Sequence, residues 1–259
     1  CLDPVNRPME YLLQKRYSHG TRNFNLVYQN EVTSDETALI KLEWLEACRN
    51  EDISYAPVRV DLSKGSVNII GSYTPSSRYV GIVRGTDPAI VTDKEAAEAS
   101  DSSYFVSITA GVLPNGFIEV IHLFRERGLT PKQKLEVVEK LDRIFKPEFH
   151  YYEENAFGAQ DIWRLTNETG VPIVKHHTGK NKNNKFKGVP KLGVKFENRR
   201  ILLPYKTEND RVTTDTIIDE LHRFPGGEHD DILMAFWIND GAVEHLDSWI
   251  NYQKTTGRN

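Results

Sequence analysis

An α/β fold is expected, with a mixed central β-sheet flanked by helices at residues 76–259 and an N-terminal linker arm at residues 1–75. Three observations predict it. Between Arg78 and His122, three β-rich runs follow one another, the last two joined by the turn Leu113-Pro-Asn-Gly116, which reads as sheet laid down strand after strand. From Thr130 to Val174, helical periodicity then alternates with short strands. The last strong apolar run, from Asp230 to Asn239, is apolar nearly all round, so it belongs in the core as a buried helix.

Composition narrows the function classes. With 39% hydrophobic and 27% charged residues, the 259-residue chain has the balance of an ordinary globular protein rather than a disordered one. No run approaches the length of a membrane span, and no apolar N-terminal segment follows a basic start. Neither a membrane anchor nor a secretory signal is therefore expected. Cys1 and Cys48 are too few for a disulfide framework or a thiolate zinc site, so any metal should sit on oxygen or imidazole. The chain begins at Cys1 rather than Met, which suggests a piece of something longer. Its formal net charge is −4, so a nucleic-acid partner would have to be met by a local basic patch.

The elements follow in order. In the arm, Met9, Leu12 and Leu13, then Leu42 and Leu45, carry helix-like spacing broken by a polar stretch at 30–37. The turn residues around Pro75 set the boundary near residue 76. A strand then runs from Arg78 to Asp87, where Pro88 forbids further ladder bonding. Strands at 104–109 and 117–122 flank the turn Leu113-Pro-Asn-Gly116 as an antiparallel meander. Thr130-Pro131 opens a helix with Leu135, Val138, Leu141 and Phe145 on one face, ended by Pro147. A short strand at 149–154 leads to Asn155, which caps the next helix; after the Gly170 stop, Val171–Val174 is another strand. Lys175 to Lys191 holds six lysines and no acid, with loop composition. A strand ending at Leu202-Leu-Pro204, a helix at 210–223 with Ile217, Ile218 and Leu221 apolar, and the final helix complete the chain.

The acids fall at element ends. Asp87 terminates the first strand, Glu153 or Glu154 terminates a later one, and Asp230 and Asp231 begin the buried helix. Each also has an ordinary reading: a turn pair before Pro88, a strand end before a cap, and helix capping at the positive end of a dipole. Asp101, in Ser-Asp-Ser-Ser, is by itself plain loop composition. Converging carboxylates, however, repel one another unless a metal neutralises them, and hard Mg²⁺ or Mn²⁺ ions take such oxygen ligands and serve two-metal phosphodiester hydrolysis. Their joint placement in a β-β-β-α-β-α order matches the chain order of the ribonuclease H fold, whose catalytic acids lie on the first strand, the fourth strand and a C-terminal helix.

Four stretches together resemble a known family. These are Gly85-Thr-Asp-Pro-Ala89 followed by Ser100-Asp101-Ser-Ser-Tyr, Tyr152-Glu-Glu-Asn-Ala-Phe-Gly158, His177-Thr-Gly-Lys-Asn-Lys182 with Gly188-Val-Pro190, and His229-Asp-Asp-Ile-Leu-Met-Ala235. In this order, over residues 78 to 240, they resemble the ribonuclease H-like C-terminal nuclease domain of the large terminase subunit of tailed double-stranded DNA phages. The resemblance makes Asp87, Glu153, Asp230 and Asp231 catalytic metal ligands for Mg²⁺ or Mn²⁺, two ions during catalysis, with Asp101 as a further ligand. Behind them, Asn155 is a supporting partner, and His229 is either a hydrogen-bond donor to the ligands or a capping residue. It also implies an endonuclease acting on concatemeric double-stranded DNA at the initiation and termination of packaging. The implied partners are a packaging ATPase domain in the same full-length chain, a portal protein and a small terminase subunit. The implied setting is the host cytoplasm, with the protein absent from the mature virion.

The arm, through the stretches 18–29 and 40–45, resembles the family's link from ATPase to nuclease. No phosphate-binding Gly-x-x-x-x-Gly-Lys-Ser/Thr loop is present in the chain, so no ATPase activity is expected of it. The lysine-rich segment reads either as a solvated surface loop or as a contact to DNA phosphates through Lys180, Lys182, Lys185, Lys187 and Lys191. Two further readings stand beside the nuclease: a transposase- or integrase-type strand transferase using the same acids, and a module that binds DNA or the portal without cutting.

Overall fold

The computed structural model describes residues 8–14, 38–88, 103–154, 158–171, 173–179 and 188–256. Residues 9–14 are helical. Helix α1 (Leu42–Glu46) leads into the two-residue strand β1 (Arg49–Asn50), and β2 (Val58–Asp61) pairs with β3 (Asn68–Gly71) as a separate antiparallel hairpin. The meander is β4 (Gly81–Asp87), β5 (Phe105–Val112) and β6 (Ile118–Glu126). Its second turn closes through the Gly116 N–H to the Leu113 carbonyl at 2.8 Å, with Gly116 at φ 77°, a conformation that glycine adopts without strain. Then come α2 (Pro131–Phe145), β7 (Phe149–Glu153), α3 (Gly158–Arg164) with a π turn at Leu165–Thr169, β8 (Ile173–His176), α4 (Val189–Glu197), β9 (Ile201–Pro204), α5 (Glu208–Arg223) and α6 (Asp231–Thr256).

Seven strands form one mixed sheet in the order β1-β9-β6-β5-β4-β7-β8. Strand β5 is antiparallel to both neighbours, and every other pairing is parallel. The first long strand, β4, is therefore central, with the meander on one side and β7 and β8 on the other. This is the arrangement that the ribonuclease H-like chain order requires.

Local chemistry explains the helix starts. Thr130 and Gln133 form a reciprocal capping box at α2, as do Thr207 and Asp210 at α5, so α5 begins two residues before the expected Asp210. Helix α4 has no counterpart in the sequence reading; Gly188, Pro190 and Gly193 look like loop chemistry, but Pro190 sits in the first turn, where its missing N–H is harmless.

The helices cover both faces of the sheet. On one face, Val137, Val138, Leu141 and Phe145 of α2 meet Ile82, Phe105 and Tyr152. On the other, Ile232, Leu233, Phe236 and Ala242 of α6 pack with Val83, Ile108 and Val120. Helix α6 approaches β4 so closely that a Cβ on Gly85 would lie 2.3 Å from the Asn239 backbone nitrogen. The Asn239 side chain, 3% exposed, donates to the carbonyls of Ile108 at 3.2 Å and Val83 at 3.5 Å. The helix runs 26 residues, past the expected end near Asn239. Gly241 does not stop it; the helix runs on through this residue against His176 and Tyr151, each 3.4 Å from the position of a Cβ, an ordinary van der Waals distance.

Part of the arm is built into this core. Ile40, Leu45 and Cys48 are buried with the α6-facing residues, and β1 extends the sheet beside β9. The Tyr55 N–H donates to Asp210 at 3.1 Å, and its hydroxyl bonds Thr214 at 2.8 Å. The packed core thus reaches across the boundary expected near residue 76.

Candidate active site

The carboxyl end of β4 delivers the first acid. Thr86 pairs with Tyr152 as the last rung of the parallel β4–β7 ladder, and Asp87 and Glu153 follow it directly, one at the end of each neighbouring strand. Strand alternation puts both on the face covered by α6, together with His176 of β8, the ladder partner of Glu153. Asp87 is buried, at 8% exposure, while Glu153 is half-buried and accepts a hydrogen bond from the Thr178 hydroxyl. The adjacent Glu154 points the other way, to Lys175 at 2.7 Å and His177 at 3.0 Å, and the hydrogen bond from Lys175 holds its carboxyl below the usual range. Of the two glutamates, Glu153 is therefore the one turned toward Asp87.

A closed hydrogen-bond ring fixes the backbone just before Asp87. Thr86 Oγ1 bonds His150 Nε2 at 2.8 Å, His150 Nδ1 bonds Asp142 at 2.8 Å, and Arg84 Nη1 donates to Asp142 at 2.8 Å. Arg84 Nε donates to Ser107 at 2.8 Å, and Ser107 returns to Thr86 at 2.7 Å. Arg84 and His150 are enclosed; the ring engages both ring nitrogens of His150 and the Nε and Nη1 of Arg84, while Arg84 Nη2 has no hydrogen-bond partner among the described residues.

The acids of α6 separate in role. Asp230 stands at the cap position, its carbonyl accepting from the Met234 N–H at 2.9 Å. The orphan N–H of Ile232 is instead capped by Glu220 of α5 at 2.5 Å, and Glu220 also takes Arg125 at 3.0 Å. Asp231 is buried at 6% exposure and accepts from the Tyr104 N–H; Tyr104 lies two residues before Val106, the ladder partner of Asp87. Burial raises the Asp231 carboxyl above its ordinary range and the Asp230 charge adds to this, against Tyr104, His229 and Arg125. Asp231 Oδ2 is enclosed and has no hydrogen-bond partner among the described residues. His229 bridges Arg127 (2.6 Å) and the edge of the Tyr104 ring (5.1 Å between centroids), and its Nδ1 lies 3.7 Å from Asp231. Its observed contacts are thus with the surroundings of Asp231.

Sequence reasoning missed a second group, on the α2 face at the same end of the sheet. Lys134, in the first turn of α2, is buried at 8% exposure, and its ammonium feels the carboxylates of Asp161 and Asp87. Asp161 of α3 is buried and accepts the Tyr152 hydroxyl at 3.2 Å; burial raises its carboxyl, with Lys134 opposing. Lys134 gave no signal in the sequence, where it reads as one of several lysines on the polar side of an amphipathic helix.

Asp101, Asn155, Lys180, Lys182, Lys185 and Lys187 lie outside the described residues. Lys191 lies in the first turn of α4 and pairs with Glu244 of α6. Among the described residues, no three His, Cys, Asp or Glu side chains stand together as a metal-holding group. Two neighbouring carboxylates nevertheless suit Mg²⁺ or Mn²⁺, which bind through one or two carboxylates completed by water and phosphate oxygens. Asp231 Oδ2, buried and without a hydrogen bond among the described residues, with His229 Nδ1 at 3.7 Å, is an acceptor whose chemistry suits a cation. No helix among the described residues is long and apolar enough to cross a membrane.

No family model matches the chain, and no curated protein matches its sequence. Solved structures do match. The large terminase nuclease from thermophilic phage G20c with bound magnesium is 13% identical with a TM-score of 0.44, covering 79% of this chain and 96% of that one. The nuclease domain of the large terminase subunit of bacterial virus Sf6 is 9% identical, TM-score 0.43, over 71% and 81%. RuvC of Thermus thermophilus, in complex with a Holliday junction substrate, is 14% identical, TM-score 0.37, over 65% and 96%. Likeness at this level carries no argument by itself; the strand order β6-β5-β4-β7-β8, with only β5 antiparallel to its neighbours, decides the architecture. The fold is ribonuclease H-like. On this fold, Asp87 and Glu153 hold the ends of the first and fourth core strands, and Asp231 opens the C-terminal helix.

Proposed function

We propose that this chain is a metal-dependent endonuclease of the terminase type, hydrolysing phosphodiester bonds of concatemeric double-stranded DNA at the start and end of phage genome packaging. The observation that carries the reading is the placement of Asp87 and Glu153 at the carboxyl ends of the two central parallel strands, each directly after the last ladder pair, Thr86 and Tyr152. The orphaned carboxylate oxygen of Asp231 at the head of α6 supports it.

In this reading Asp87, Glu153 and the Asp230–Asp231 pair hold Mg²⁺ or Mn²⁺, with Asp101 as a further ligand. When bound, two such ions would activate the attacking water and steady the leaving oxygen. The chain's own residues do the rest. The Thr86–His150–Asp142–Arg84–Ser107 ring holds β4 so that Asp87 is presented in one position, and Glu220 and Tyr104 fix the start of α6 and the carboxylate of Asp231. The lysines at 180, 182, 185 and 187 would meet DNA phosphates, whereas Lys191, engaged with Glu244, would have to exchange partners to do so. The packaging ATPase of the full-length chain, a portal protein and a small terminase subunit are the proposed partners, in the host cytoplasm.

The test is a supercoiled-plasmid assay with Mg²⁺ or Mn²⁺ against chelator, run on the wild type and on Asp87→Ala, Glu153→Ala and Asp230→Ala. Nicking and linearisation by the wild type alone is expected. Equal cutting by all four proteins would overturn the assignment, and DNA binding without cutting in either metal would favour a non-catalytic module.

A further inference from the structure

A buried lysine in the first turn of a helix is doubly unfavourable. Its charge is removed from water, and it faces the positive end of the helix dipole. Lys134 is in this position, four residues into α2 and 8% exposed. Carboxylates must offset both costs, and the two that act on its ammonium are Asp161, itself buried, and Asp87. The path between them is short. Asp161 accepts the hydroxyl of Tyr152, and Tyr152 is the ladder partner of Thr86, immediately before Asp87. Asp142, near the end of α2, meets Arg84, and Glu148, just past the helix, donates its N–H to the Ile82 carbonyl at 2.8 Å, so α2 ends beside the start of β4 and its first turn lies toward the end of that strand. One lysine therefore reaches the acid cleft from the face of the sheet opposite α6.

We propose that Lys134 is an internal counter-ion of the cleft, its single charge shared between Asp87 and Asp161 when no divalent ion is bound, so that metal loading has to compete with it. This rests on the reading of Asp87 as a metal ligand. It assigns the α2 side of the cleft a part that the carboxylate motifs alone do not contain. Lys134 acts here on the acids, as a positioning residue that sets how readily the cleft accepts a cation. A structural lysine that only filled space between α2 and α3 would leave metal affinity unchanged on neutral replacement, or lower it by loosening the site.

The experiment measures Mn²⁺ binding to the chelator-stripped protein by calorimetry and by the Mn²⁺-dependent rise in Tm, for the wild type, Lys134→Met, Lys134→Gln and Lys134→Arg. The two neutral variants should lose Tm in chelator and bind Mn²⁺ about tenfold more tightly than wild type, since one nearby positive charge has been removed. Lys134→Arg should bind close to the wild-type level. Should Lys134→Met fail to fold, Lys134→Gln, which keeps a polar end, decides. Unchanged or weaker Mn²⁺ binding by a folded neutral variant would overturn the proposal while leaving the metal site intact. Absence of Mn²⁺ binding in the wild type and all variants alike would instead remove the metal-site reading, and the counter-ion role with it.

Discussion

Asp87 and Glu153 end two neighbouring parallel strands, each directly following the last ladder pair, Thr86 and Tyr152. Nothing in sheet architecture calls for two acids side by side in this half-buried place, and a divalent ion bridging to phosphate would. Glu153→Gln and Asp87→Asn should therefore each lower plasmid cleavage on the order of a hundredfold or more, because several kcal/mol of charge stabilisation is lost. Glu153→Gln should do so with little change in Tm. Wild-type rates in Glu153→Gln would remove that residue from the reaction.

The ring around Arg84 makes a separate prediction about stability. Arg84 and His150 are enclosed and share Asp142, so Asp142→Ala leaves a buried guanidinium without its carboxylate. The expected cost is about 3–5 kcal/mol, read as a fall in the urea midpoint. A change below about 1 kcal/mol would mean that the ring is replaceable by water.

Acid should weaken the fold before it protonates many carboxylates. Burial, with Arg84 nearby, pushes His122 down to about 3, and burial also lowers His150, against the pull of Asp142. His122 is neutral in the folded chain and gains a proton on unfolding, and the lowered His150 acts in the same direction, so stability is present above the ordinary histidine pKa of about 6.5 and is lost as pH falls below it. His122 alone should contribute about 2 kcal/mol of loss between pH 6.5 and 5. At lower pH the loss steepens: burial by itself would raise the Asp142 carboxyl, but His150 and Arg84 hold it below the usual range, so its share goes once pH drops under about 4. Urea midpoints at pH 7 and 5.5, on wild type and His122→Gln, test this; equal midpoints for wild type at the two values would contradict it.

The head of α6 depends on a residue outside it. Glu220 caps the Ile232 N–H and engages Arg125, so Glu220→Ala should cost about 1–3 kcal/mol and lower cleavage by loosening Asp231. Glu220→Gln, which keeps an acceptor, should retain more of both. The comparison is made by thermal melts alongside initial cleavage rates, and the idea fails if Gln and Ala behave alike.

Much of this was legible in the sequence, for local reasons. Pro88 after Asp87, the cap and first-turn pair Thr130-Pro131, and the turn ending at Gly116 each impose geometry within a few residues, so the strand carrying Asp87, the start of α2 and the meander could be read directly. What escaped notice depends on distant partners. Lys134 differs from its neighbouring lysines only in what α3 and β4 bring to it. Glu220 looks like one more acid on a surface helix until Ile232 is set against it. Helix α4 was hidden because Pro190 and Gly193 signal loops wherever no core stands ready to bury Val189, Leu192 and Phe196. The pairing of Asp230 with Asp231 could be seen, but their division into a cap position and a buried carboxylate could not, because it follows from Glu220 and Tyr104.

The contact between Gly85 and Asn239 bears on how such a cleft could be kept quiet. A methyl group at Gly85 would strike the Asn239 backbone, and the Asn239 amide is spent on two sheet carbonyls. Sliding α6 along the sheet, the simplest way to withdraw Asp231, would strand those carbonyls in a dry interior and drive backbone into backbone. The sheet and its last helix thus behave as one casting, and any brake on the chemistry has to act from outside it, on what is allowed to reach the acids.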